Sequence, residues 1–168
     1  MSGKLSALTL KDLPTIRAWR NHADIKSFMC SQHFIEAEEH KSWFVKQSKD
    51  PLQHLYLYEE EGQPLGFLQL QKKSAENATY TWGFYISPDA PRGTGFNMTT
   101  LGLSTAFETL GAHKVFGEVL AFNPASIRLH QKLGFTQEGC LKQHQYVNGQ
   151  YYDVYCFGLF QRGIAREL

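Results

Sequence analysis

In the 168-residue chain, Gly93 and Gly95 stand at the head of a helix-like run in Tyr85-Ile86-Ser87-Pro88-Asp89-Ala90-Pro91-Arg92-Gly93-Thr94-Gly95-Phe96-Asn97. Glycines let backbone amides turn inward without side-chain obstruction. The following helix adds its free amides and positive dipole end. Together they suit a phosphate-like anion, and Arg92 supplies a bidentate cation. A nucleotide P-loop needs Gly-Lys-Ser/Thr where Gly95-Phe96-Asn97 stands, so that reading fails. A dinucleotide fingerprint needs a third glycine at Met98, although Glu118 lies at a suitable distance. A pyrophosphate loop and a plain glycine-rich turn stay open on this segment alone.

A second polar group lies downstream. At 100° per residue, Asn123, Ser126 and His130 fall within about 60° of one another on a helix. A core helix would carry apolar residues there. An imidazolium at His130 is able to give a proton to a departing anion, its ordinary pKa lying near 6.5. Glu118 shares strand phase with Phe116 and Leu120. A desolvated carboxylate on an apolar face has a raised pKa and suits a general base. Its structural alternative is to hold backbone amides.

The segment Asn123-Pro124-Ala125-Ser126-Ile127-Arg128-Leu129-His130-Gln131-Lys132-Leu133-Gly134-Phe135 resembles the N-x-x-S-x-x-L-Y-x-K-x-G-F signature of GNAT acetyltransferases. The glycine loop resembles their R/Q-x-x-G-x-G/A motif at the expected separation. The resemblance implies an acetyl-CoA-dependent N-acetyltransferase with direct transfer to an amine. It implies acetyl-CoA contacts from Tyr85, Ile86, Arg92, Gly93, Thr94, Gly95, Phe96, Asn97, Asn123, Ser126 and Lys132. A backbone amide near Tyr85 or Ile86 would polarise the thioester carbonyl. Two positions depart from the pattern. Ala90 replaces the loop's usual Arg/Gln. His130 replaces the tyrosine that commonly protonates the coenzyme A sulfur.

The acceptor is read from the first helices. Trp19-Arg20-Asn21-His22, Glu39-His40 with Trp43-Phe44, and Trp82 to Pro88 resemble the N-acetyltransferases of the bacterial pseudaminic acid pathway. That resemblance implies transfer to the 4-amino group of a UDP-linked 4-amino-4,6-dideoxy sugar. Arg20 and His40 would meet its diphosphate, Trp43, Trp82 or Tyr85 would stack on uracil, and Asn21 would join the site. Solvated or core roles for these residues compete. Rival acceptors are a protein N-terminus and a polyamine. The polyamine is disfavoured because no dense acidic cluster is visible, and Glu59-Glu60-Glu61 reads as a solvated turn. A coenzyme A-binding sensor without catalysis is the rival outside enzymes.

Around these motifs the period of the sequence alternates. Strands are expected at Lys4–Leu8, Leu55–Glu59, Leu65–Gln71, Thr79–Ile86 and Lys114–Leu120. A helix carries Leu13, Ile16 and Trp19 and ends near Asn21. Another begins at Glu36, Glu38 and Glu39, where carboxylates suit its positive end. A long one runs from Phe96 to Leu110 and closes at Gly111. A last one spans Asn123–Leu133. Thr136–Val147 and Gln150–Leu159 flank the hairpin turn Asn148-Gly149. The fold class is α/β (α+β), the GNAT acyl-CoA N-acyltransferase fold in the resemblance, as one domain over residues 1–168. Its sheet should be mixed and mostly antiparallel, flanked by helices.

A net charge of +1 leaves no broad footprint for nucleic acid or anionic membrane. No apolar run approaches the roughly 18 residues of a membrane span. The opening MSGKLSALTL lacks a signal peptide's apolar core, so a cytoplasmic protein is expected. Cys30, Cys140 and Cys156 form no C-x-x-C pair, and the seven histidines show no H-x-x-x-H spacing, so no metal is expected. A homodimer is left open.

Overall fold

The computed structural model describes residues 3–161; residues 1–2 and 162–168 of the expected domain lie outside them. The chain runs β1 (Gly3–Ala7), α1 (Leu13–Asn21), α2 (Ala23–Lys26), α3 (Ala37–Ser48), β2 (Gln53–Glu60), β3 (Gln63–Lys72) and β4 (Thr79–Ile86). It continues with α4 (Thr94–Ser104), β5 (Lys114–Leu120), α5 (Pro124–Lys132), β6 (Thr136–Val147) and β7 (Gln150–Phe160). This is the expected mixed α/β order with one helix added. The short α2 was not expected; its first turn is capped by His22, whose Nδ1 accepts from the Asp24 amide. The long helix also changes character, with α4 passing into a π-helical turn over Thr105–Thr109 before Gly111 at φ 72°.

Seven strands form one sheet in the order β1-β2-β3-β4-β5-β7-β6. All neighbours are antiparallel except β4 and β5. Alternation along the strands divides the apolar side chains between two faces. Leu57 and Phe67 meet Leu13, Ile16 and Trp19 of α1 and Phe44 of α3. Leu68, Leu70, Tyr80, Trp82, Val115 and Phe157 pack with Met98 and Leu103 of α4 on the other face. Among the described residues no helix is long and apolar enough to cross a membrane.

The sheet is not continuous. β4 and β5 pair only from Thr79↔Lys114 to Thr81↔Phe116. β5 then stays with β7 as far as Leu120↔Val154, while β4 stays with β3 as far as Ile86↔Gly66. The parallel strands therefore part beyond Thr81 and open a gap inside the sheet.

The gap between two parted strands as a candidate active site

A parted pair leaves backbone groups without a ladder partner. The Ser87 amide donates to Leu65 O at 2.8 Å, and Thr79 O accepts from the Lys73 amide at 2.9 Å. Odd-numbered residues of β4 thus turn their amides and carbonyls toward β3. By alternation, Trp82, Phe84 and Ile86 turn theirs into the gap. Ile86 turns its amide into the gap. Tyr85 does not, because its amide faces β3; Phe84, which the sequence reading passed over, takes that position.

A cavity of about 1000 Å³ fills the gap and continues over both faces. At one end stand Gly93, Gly95 and Phe96, with Asn123 and Ser126 of α5 opposite. Gly93 holds φ 95°, a left-handed conformation that favours glycine. Asn97 N closes the first helical bond to Gly93 O, while the amides of Gly95 and Phe96 take no backbone partner among the described residues. Asn123 Oδ1 accepts from the Ser126 amide at 3.2 Å and fixes the start of α5. Lys132 places its ammonium 4.2 Å from the Phe96 ring centroid, beside this turn.

Three residues expected at this end stand outside the cavity lining. Thr94 is buried, its hydroxyl donates to Pro91 O at 2.7 Å, and its amide donates to the same carbonyl, so it braces the loop. Asn97 turns away and donates to Glu60 Oε1 at 3.4 Å. Arg92 is exposed and does not line the cavity. Glu60 in turn accepts from the Tyr58 hydroxyl at 2.6 Å, so it is a bracing group of β2 rather than part of a solvated turn.

His130 is 2% exposed, on the same face of the sheet as Trp82. Trp82 Nε1 donates to His130 Nε2 at 3.1 Å, and His130 Nδ1 lies 2.8 Å from Ser126 O. Phe84, Phe135 and Phe157 pack around the ring at centroid distances of 6.0, 4.9 and 5.2 Å. Burial pushes its pKa down. The expected imidazolium donor therefore meets an aromatic site with both nitrogens engaged. Trp82 is likewise 9% exposed and bonded inward, so it is not a free stacking surface for an acceptor.

The opposite face carries the other candidates. Glu118 lines the cavity but is exposed, which corrects the expected desolvated carboxylate: β4 has parted from β5 before this residue and does not cover it. Gly83, across the gap, has nothing within 4 Å of an added Cβ, so the space before Glu118 is open. Arg20 donates through Nη2 to Ser31 O at 3.0 Å, whereas its Nη1 is buried with no partner. Burial works against the Arg20 charge. His40 is 5% exposed with Nδ1 unpartnered, and its ring stacks on Trp43 at 5.1 Å and 3°. Arg20, His40 and Trp43 all line the cavity. Asn21 does not. Its side chain donates to Ile35 O at 2.9 Å and accepts from the Ile35 amide at 2.8 Å, pinning the loop before α3. Asp24, which the sequence reading passed over, and Glu39, which it read as a helix-start carboxylate, line this half with Glu118 although they lie far apart in the chain.

Burial pushes the pKa of His40, His54 and His130 down alike. Below about pH 6.5 the unfolded chain binds protons that these folded rings refuse. The stability they contribute is therefore complete above that pH and is lost as pH falls toward the depressed folded values. The urea midpoint should drop between about pH 7.5 and 5.5, above the carboxylate range. Midpoints that stay level across this window would refute the neutral-ring reading.

The family described as "Acetyltransferase (GNAT) domain" matches residues 5–156. The SPbeta prophage-derived uncharacterized N-acetyltransferase YokL of Bacillus subtilis is 34% identical over 135 residues, covering 78% of this chain and 75% of that protein. The spermidine N(1)-acetyltransferase of Vibrio cholerae is 27% identical over 153 residues, 89% of this chain and 88% of its own length. The acetyltransferase PseH of Campylobacter jejuni is 29% identical over 132 residues, 77% and 80% of the two chains. The solved structure of the Vibrio cholerae spermidine N-acetyltransferase in complex with CoA and spermine superposes with a TM-score of 0.89 at 23% identity, covering 95% of this chain and 96% of its own.

Proposed function

This chain belongs to the GNAT acetyltransferases and is an acetyl-CoA-dependent N-acetyltransferase; we propose that its acceptor is the 4-amino group of a UDP-linked 4-amino-4,6-dideoxy sugar. The observation that carries this reading is the buried, unpartnered Arg20 Nη1 beside the unpartnered His40 Nδ1 in the acceptor half. Buried polar groups are nearly always satisfied, so two orphans on residues that line one cavity point to a ligand with polar atoms that completes them. A diphosphate supplies them. The half-exposed Trp43 edge offers a flat surface to uracil. The resemblance of Trp19–His22, Glu39–Phe44 and Trp82–Pro88 to the amino-sugar subgroup supports the same class.

In this reading the pyrophosphate of acetyl-CoA lies against the Gly93–Phe96 turn, and the thioester enters the gap beside Phe84 and Ile86. Their gap-facing amides polarise the carbonyl oxygen as charge develops on it. Glu118, across from the open Gly83 position, takes a proton from the acceptor ammonium directly or through water. The neutral amine adds to the carbonyl carbon, the C–N bond forms and the C–S bond breaks. Coenzyme A leaves as its thiol.

One observation favours a second acceptor. Asp24, Glu39 and Glu118 line the same half, and carboxylates suit a polyamine such as the one the Vibrio cholerae relative's name states. Free-thiol release with UDP-4-amino sugars, N-terminal peptides and spermidine separates these readings. The UDP-4-amino sugar should exceed the others in kcat/KM by about a hundredfold or more, the scale of a charged contact in a dry site. Turnover of spermidine with none on any nucleotide sugar would overturn the proposed acceptor.

A further inference from the structure

We propose that His130 is a positioning residue, a neutral acceptor that holds the Trp82 indole across Gly117 and so fixes one wall of the gap, and that it does not protonate the departing sulfur. The inference rests on the thioester lying between β4 and β5.

The two partners of the imidazole have fixed roles. A carbonyl only accepts, so the proton of the ring sits on Nδ1, facing Ser126 O. An indole N–H only donates, so Nε2 is bare and faces Trp82. A proton on Nε2 would confront the indole proton at 3.1 Å between the heavy atoms. The neighbours that pack on the ring are Trp82 and Phe84 from β4, Gly117 from β5, Phe135 after α5 and Phe157 from β7, none of them ionisable. Glu118 belongs to the other face of β5. Among the described residues, no carboxylate is paired with the ring to stabilise an imidazolium there.

Gly117 makes the bond possible. A Cβ at that position would lie 2.7 Å from Trp82 Nε1 and 2.8 Å from His130 Nε2. The hydrogen bond therefore crosses directly over β5 and ties β4 to α5 where the sheet ladder has ended. In this way a side-chain bond replaces the missing backbone ladder. Trp82 is held further by stacking on Phe135 at 5.2 Å and 22°.

The proton balance needs nothing from His130. The adding nitrogen must lose one proton to become an amide, and the departing thiolate must gain one. Water in the open cavity can carry that proton from nitrogen to sulfur, so the sum is amine plus thioester to amide plus thiol.

Two measurements test this on the full chain. Nitrogen-15 NMR of the His130 ring, with and without coenzyme A, should give the neutral Nδ1–H tautomer across about pH 6.5 to 8.5. Protonation of Nε2 in that range would overturn the proposal, and this readout stands even if every acceptor tried is wrong. The second is rescue. H130F leaves the indole N–H unpaired and should lower kcat about tenfold or more, whereas H130Q, whose side-chain oxygen can accept from Trp82, should return it to within about threefold. H130Q as slow as H130F, in a folded protein whose Trp82 N–H resonance keeps its hydrogen-bonded shift, would show that the imidazole itself does the chemistry.

Discussion

Gly117→Ala is expected to reduce acetyl transfer about a hundredfold and to destabilise the fold by about 2 to 4 kcal/mol. The added methyl would lie 2.7 Å from Trp82 Nε1 and 2.8 Å from His130 Nε2. Both atoms belong to rigid rings, and both rings are confined. Trp82 lies between Phe84 and Phe135, at 5.1 and 5.2 Å, and His130 is stacked on Phe157. Overpacking of this kind costs about 1–3 kcal/mol, and an indole N–H left unpaired adds a similar amount. The activity loss comes from geometry, since a shift of about 1 Å at a reacting centre costs on the order of a hundredfold. Gly139→Ala is the control, because its added Cβ meets nothing within 4 Å. Urea denaturation and kcat with saturating acetyl-CoA provide the measurements. A Gly117→Ala protein as stable and as fast as the control would mean that the Trp82–His130 bond positions nothing.

The expectation rests on features that sequence reading reached only in part. Local chemistry was legible. Gly93, Gly111 and Gly134 take positive φ where helices begin or end, and Asn148-Gly149 turns the last hairpin. The polar face Asn123, Ser126 and His130 follows from helical spacing, and all three line one cavity. Strand limits at Thr79–Ile86 and Lys114–Leu120 follow from alternation and were read correctly.

Partnership was not legible, because it is decided by groups distant in the chain. Thr94, Asn97 and Asn21 have the side chains of ligand-binding residues, yet each is engaged by Pro91, Glu60 or Ile35. Glu118 lies on an apolar strand face but is exposed, because β4 departs from β5 three residues into their pairing. The same parting decides that Phe84, and not Tyr85, faces the gap. Neither fact has a local signature. The Trp82–His130 bond spans 48 residues and needs a glycine on a third strand. Read alone, His130 suggested an acid; its neighbours make it an acceptor.

Arg20→Met should lower kcat/KM for a UDP-4-amino sugar about a hundredfold while leaving the KM for acetyl-CoA within about threefold, the loss expected when one charged partner of a desolvated pair is removed. Arg20 lies in the last turn of α1 on the acceptor face, and among the described residues its guanidinium donates to Ser31 O alone. The other guanidinium nitrogen is buried and unpartnered, an arrangement that burial makes costly unless a ligand completes it. Methionine keeps most of the stem's packing and removes the charge and the fork. In the proposed reading acetyl-CoA lies against the Gly93–Phe96 turn and α5, which Arg20 does not support, so donor affinity should hold. Spermidine provides the opposite sign. A fixed cation repels a polycation, and removing it should leave spermidine turnover unchanged or raise it, because specificity here includes a repulsive element. Steady-state kinetics with both acceptors separates the effects. A parallel fall for spermidine and for the nucleotide sugar would assign Arg20 to holding the Ser31 loop. Opposed responses would assign it to the anion of the acceptor, and with it the substrate class of this branch of the fold.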